Sequence, residues 1–152
     1  MFTVASFFSG VGGIDLGFSQ TGKCKTVYAN EFDSYAAETF ELNFTIKIDV
    51  RDINEVSSDE IPKTDIVVGG FPCQAFSIAG LQQEFKDEKE RGNLFFDLVR
   101  ILKHNQPKAA LFENAKNLAS HNQGVTIAVI MNELRKIGYY AGYRILTPLS
   151  TI

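Results

Sequence analysis

Gly69-Gly70-Phe71-Pro72-Cys73-Gln74-Ala75-Phe76-Ser77 follows directly on the apolar run Ile66-Val67-Val68. A β-branched run of this kind suits a strand buried on both faces of a parallel sheet, and the paired glycines let the backbone leave that sheet sharply. Cys73 is therefore expected just beyond the carboxyl end of a strand, the edge at which open α/β sheets bind ligands. Pro72 fixes its own φ and biases Phe71 toward extended geometry, so the thiol sits on a stiff turn. A lone cysteine usually has a structural role, but after strand, Gly-Gly and Phe-Pro a reactive thiol is the better reading.

Upstream, Thr3–Phe8 reads as a first strand, with Gly10, Gly12 and Gly13 making a tight turn into a short helix from Ile14 to about Ser19. Strand, glycine turn and helix start are the parts of a nucleotide-type crevice, because small residues let a ligand approach the backbone. The residue three beyond Gly12 is Asp15 rather than a third glycine, which disfavours a dinucleotide site. Thr26–Asn30 reads as a second strand ending at Glu31, and Asp33 or Ser34 caps a helix to about Asn43. Glu31 is placed to accept hydrogen bonds from ribose hydroxyls; a carboxylate favoured by the helix dipole is the alternative. Thr45–Val50 gives a short third strand, and residues 57–63 form a polar linker.

Downstream, residues 79–92 carry charge without apolar period and predict a long surface loop, a feature that is usually functional in a compact domain. Leu94–Leu102 repeats its apolar residues at helical spacing, and Pro107 ends that helix. Ala109–Phe112 forms a fifth strand that delivers Glu113 to the same edge as Cys73. Val125–Ile137 is an amphipathic helix stopped by Gly138, and Tyr139–Leu146 is expected as a sixth strand.

The 152 residues fit one domain, with 45% hydrophobic and 22% charged residues. Neither a membrane-length apolar run nor a signal-peptide pattern is present, so a cytoplasmic protein is expected. Two distant cysteines, Cys24 and Cys73, fit a reducing compartment, and two histidines argue against a zinc site. The net charge of −3 is unlike that of a chain that grips nucleic acid alone. A gripping surface is expected elsewhere.

Phe-Pro-Cys-Gln-Ala-Phe-Ser after Gly-Gly resembles the catalytic loop of the DNA (cytosine-5) methyltransferases. Phe8-Ser9-Gly10-Val11-Gly12-Gly13 and Glu113-Asn114 match the same family in the right order, and the likeness covers nearly the whole chain. The resemblance implies a Rossmann-like, S-adenosylmethionine-dependent α/β fold with a doubly wound, mostly parallel sheet. Residues 1–152 would form its N-terminal catalytic and cofactor-binding portion, truncated before the seventh strand. It implies Cys73 as nucleophile and Glu113 as acid. The cofactor would be held by Phe8, Gly10, Gly12, Gly13, Glu31, Phe32, Asp52, Ile53, Pro72 and Leu94, with Asp49 as an alternative to Asp52 for the adenine. Phe71, Gln74, Ser77 and Asn114 would face the substrate, with Arg91 a further candidate for DNA contact.

By the same resemblance, the thiolate adds at C6 of a flipped cytosine, Glu113 supports N3, and a methyl group passes to C5, leaving S-adenosylhomocysteine. Double-stranded DNA is the implied substrate, with the protein nucleoid-associated when bound; an RNA substrate and a non-catalytic assembly module are the alternatives. The family's target-recognition region, Gln-x-Arg-x-Arg stretch and C-terminal segment have no counterpart here. An open strand edge would then need a complementary C-terminal chain, or self-association, to cover it. The chain alone is expected to be inactive or nearly so.

Overall fold

The computed structural model describes residues 1–72 and 94–146. Two compact units divide the chain, Met1–Asn114 and Ala115–Ile152. The first holds a four-stranded sheet with β1 (Phe2–Phe7) inside it. β2 (Cys24–Asn30) lies on one side of β1, and β3 (Ile66–Gly69) followed by β4 (Ala109–Phe112) on the other. All pairings are parallel, and the order β2-β1-β3-β4 reverses direction between β1 and β3. That reversal is the topological switch point of a doubly wound sheet, the expected class.

The apolar runs form strands because both faces are covered: Val4, Ala5, Phe7, Val67 and Val68 have no exposed surface. Asp65 fixes the register from the opposite end of the sheet. Its carboxylate accepts from the Thr3 N–H at 2.9 Å, the Thr3 hydroxyl at 3.0 Å and Lys108 Nζ at 2.7 Å, joining three strands. Gly69 is required because a Cβ there would lie 3.0 Å from the Phe7 carbonyl oxygen. With register fixed, the loops after all four strands emerge at one edge.

The helices follow the apolar spacing. α1 (Gly13–Gln20) starts at the glycine turn. α2 (Ser34–Asn43) is capped by Asp33, whose carboxylate accepts from the N–H groups of Tyr35 and Ala36. It buries Ala37 and Phe40 with Ala29 and Ile48, and Phe40 stacks on Phe44 at 4.3 Å. α3 (Leu94–Asn105) buries Phe95, Leu98, Ile101 and Leu102, each contributing on the order of 1.5–3 kcal/mol. No helix among the described residues is long and apolar enough to cross a membrane.

Two expected strands are corrected. The third, Thr45–Val50, is reduced to one parallel bridge, Asn30 with Asp49. The Asp49 side chain accepts from the Arg51 backbone N–H and guanidinium, which folds the chain into a turn before a ladder extends. The sixth, Tyr139–Leu146, is irregular, with Tyr140, Tyr143, Ile145 and Leu146 exposed. No strand among the described residues pairs with it, and an isolated strand has no partner for its backbone groups.

In the second unit, α4 (Val125–Lys136) is preceded by two short turns, Lys116–Ala119 and His121–Gly124. His121 Nδ1 and Thr126 Oγ1 pair at 2.7 Å. At its end, Gly138 N–H donates to the Arg135 carbonyl and Tyr139 N–H to that of Leu134, the paired bonds of a Schellman stop.

Candidate active site at the carboxyl edge of the sheet

Beyond β1 the backbone makes two left-handed steps that set the crevice. Phe8 has φ +51°, rare for an aromatic residue, and its ring is half-buried at the edge. Gly12 has φ +91°, and a Cβ there would overlap the Phe44 ring, so neither conformation nor space admits a side chain. The turn is tied to β2, as Ser9 N–H donates to the Asn30 carbonyl at 3.2 Å. Gly12, the N-cap of α1, gives no side-chain cap, so the helix start stays open to an acceptor from outside.

Under this turn lies a polar chain that sequence reasoning missed. The Ser9 hydroxyl donates to the Ser6 hydroxyl at 3.0 Å, and Ser6 donates to Asp15 Oδ2 at 2.8 Å. Thr26 donates to Asp15 Oδ1 at 2.8 Å. Asp15 is fully buried, and that burial pushes its carboxyl above the usual range against the lowering effect of the two hydroxyls. The available signal was polar Ser6 and Thr26 inside apolar strands, opposite an acid in the first turn of α1.

Glu31 bridges the β1 turn and the start of α2. Its Oε2 accepts from Gly10 N–H and its Oε1 from Asp33 N–H, both at 2.8 Å. Each oxygen keeps a lone pair for a further donor. Phe32 beside it is 71% exposed, an apolar surface at the edge with nothing covering it among the described residues.

The two acids considered for the adenine differ in what engages them. Asp49 accepts from the Arg51 guanidinium at 2.7 and 3.0 Å and from the Tyr28 hydroxyl at 3.0 Å. The Arg51 hydrogen bond, foremost, holds Asp49 below the usual carboxylate range, and burial pushes the Tyr28 hydroxyl up. The Asp52 carboxylate accepts from Asn54 N–H at 3.2 Å and its carbonyl from Glu55 N–H at 2.9 Å, so Asp52 caps the short turn Ile53–Glu55. Ile53 is 2% exposed, so its packing is spent in the core.

Across the switch point, Gly69↔Phe112 closes the register of β3 and β4. The Glu113 N–H donates to the Gly69 carbonyl at 2.9 Å, and its Oε2 would lie 3.4 Å from a Cβ at Gly70. Glu113 is exposed. Asn114 Nδ2 donates to the Phe71 carbonyl at 2.6 Å, tying the start of the Phe-Pro-Cys stretch to the strand next door. Phe71, expected to face the substrate, is 3% exposed and packs on Phe95 and Phe112 at ring distances of 5.5 and 6.1 Å. Its side chain is part of the core of the first unit. Pro72 is exposed and Leu94 half-buried at the start of α3, while Cys73, Gln74, Ser77 and Arg91 lie outside the described residues.

The parallel order with its switch point defines a doubly wound α/β fold, and solved structures agree on that fold. A DNMT2 variant from Spodoptera frugiperda is similar with a TM-score of 0.71 at 20% identity, over 90% of this chain and 41% of that one. The Dnmt2 methyltransferase of S. pombe gives a TM-score of 0.68 at 21% identity, over 90% and 41%. The C-5 cytosine-specific DNA methylase family model matches residues 2–148, and the chain belongs to that family. Among curated relatives, the type II methyltransferase M.Bsp6I from Bacillus sp. (strain RFL6) is 44% identical over 96% of this chain and 46% of its own length. M.HaeII from Haemophilus aegyptius is 47% identical over 93% and 43%. The chain thus spans under half the length of these relatives.

Proposed function

We propose that this chain is the catalytic, cofactor-binding portion of a DNA cytosine-5 methyltransferase that uses S-adenosylmethionine. The observation that carries the reading is the joined exit of β3 and β4, where Asn114 holds the Phe71 carbonyl and Glu113 stands over Gly70, two residues from the Pro72-Cys73 step. On the β1–β2 side the residues fit the cofactor: exposed Phe32 and half-buried Phe8 offer aromatic surface, Glu31 keeps lone pairs for ribose hydroxyls, and the start of α1 is open. S-adenosylmethionine, when bound, supplies an electrophilic methyl group.

The chain's own residues prepare the base. The Cys73 thiolate adds to C6, and the C5–C6 π pair moves into the ring as Glu113 gives N3 a proton or a hydrogen bond. C5 becomes nucleophilic and takes the methyl. Loss of the C5 proton then restores the double bond and expels the thiolate. The ring atoms are out of reach inside a duplex, so the cytosine must be flipped out of double-stranded DNA.

A partner belongs to the proposal. β4 is the last strand on its side among the described residues, and Leu111 on it is half-exposed. A complementary C-terminal chain covering this side would complete the enzyme, and the chain alone transfers little or no methyl. The test mixes this chain with the C-terminal half of a relative and follows tritiated methyl transfer to DNA and to transfer RNA. Transfer to DNA that disappears with Cys73→Ala supports the reading. Cofactor binding without transfer to either substrate favours the assembly module instead, and transfer to RNA alone moves the substrate class.

A further inference from the structure

Arg100 of α3 makes three side-chain hydrogen bonds to the segment after Asp52. Its Nη2 donates to the Ile53 carbonyl at 3.0 Å, and its Nη1 to the Val56 carbonyl at 3.1 Å and the Ser58 hydroxyl at 2.9 Å. Nε and Nη2 both reach Asp97 Oδ1 at 3.2 Å, which orients the guanidinium. These acceptors span two short turns, Ile53–Glu55 and Ser58–Glu60, in a stretch with no strand ladder to hold it. The first turn starts at Asp52. Asp97 is itself near enough to Asp52 for the two carboxylates to repel, an effect secondary to its own burial. The Arg100 cation sits where it both fixes the turn and offsets that repulsion.

We propose that Arg100 is a positioning residue for base recognition: it holds the Asp52 turn in the one conformation that lets the Asp52 carboxylate accept from the 6-amino group of the cofactor's adenine. This rests on the reading of Asp52 as the acid that meets adenine. A planar five-donor fork is needed, because three acceptors on a turn without repeating structure must be met at once. A lysine carries its three donors on one nitrogen and does not reach across all three acceptors with the geometry of the fork.

The test compares binding of S-adenosylhomocysteine with that of the analogue whose purine lacks the 6-amino group, by calorimetry on the full chain. Wild type is expected to prefer the adenine compound about tenfold, the size of one hydrogen bond to a charged group. Arg100→Met and Asp52→Asn should each bring the two affinities within about twofold, and Arg100→Lys should fall between. Glu31→Ala, which also removes hydrogen bonds that hold the fold, should weaken both ligands alike and leave their ratio unchanged, so a levelled ratio in Arg100→Met is not a general loosening of the crevice. Should Arg100→Met fail to fold, Arg100→Lys decides by the same ratio. If Asp52→Asn levels the preference and the folded Arg100 variants keep it, the proposal is overturned while the reading of Asp52 stands. If wild type shows no preference or no binding, or Asp52→Asn keeps the preference, that reading falls and the proposal with it.

Discussion

Glu31 serves the fold and the crevice with one carboxylate. Removing it leaves the partly buried Gly10 N–H without its acceptor, at about 1 kcal/mol, and the exposed Asp33 N–H at less, besides the proposed ribose contact. Glu31→Ala is therefore expected to lower the urea midpoint and weaken cofactor binding at least tenfold by calorimetry, whereas Glu31→Gln, keeping one acceptor, loses less stability. Two other carboxylates respond to pH with opposite sign. Lys108, with help from Thr3, lowers Asp65 from 3.8 to about 2, so its stabilisation is present above 3.8 and lost as pH falls through about 2. Urea titrations from pH 2 to 6 should show this dependence in wild type and not in Asp65→Asn. Burial raises Asp15, so its contribution is present below 3.8 and lost as pH rises through its folded value. Asp15→Asn should remove that decline.

At the scale of elements, Gly12 is the position in the Gly10–Gly13 turn where a side chain has no room. Gly12→Ala adds left-handed strain of roughly 1–2 kcal/mol and must displace Phe44 from its stack on Phe40, so thermal unfolding should shift down clearly. Gly13→Ala, with open space around its Cβ, is the matched control and should shift little. α2, β1, β3 and β4 were legible in the sequence because each carries its own instruction: a capping Asp33, or apolar runs ended by glycine or an acid. Thr45–Val50 was not, because its apolar alternation is local while the decision to leave the sheet is made by Arg51 closing on Asp49. Tyr139–Leu146 has a strand's composition but depends on a neighbour, which no local pattern reveals. At the site, Glu31, Glu113 and Asn114 were readable as polar residues directly after strands. Asp15 and Arg100 were not, since a single acid or arginine in an amphipathic helix reads as its solvated face.

For the molecule as a whole, half-exposed Leu111 on β4, the last strand on its side among the described residues, makes association the expected behaviour of the chain in isolation. Light scattering should show concentration-dependent oligomers, reduced in Leu111→Lys and by addition of a complementary C-terminal chain. The place of β1 between β2 and β3 also sets a schedule for synthesis. Phe2–Phe7 leaves the ribosome first, yet one flank waits for Cys24–Asn30 and the other for Ile66–Gly69. At 5–20 residues per second, the second wait lasts roughly 3–12 s. Through that interval the apolar centre of the future sheet stays open on one side, so nascent-chain crowding and chaperone capture act most strongly on the strand that ends up best enclosed.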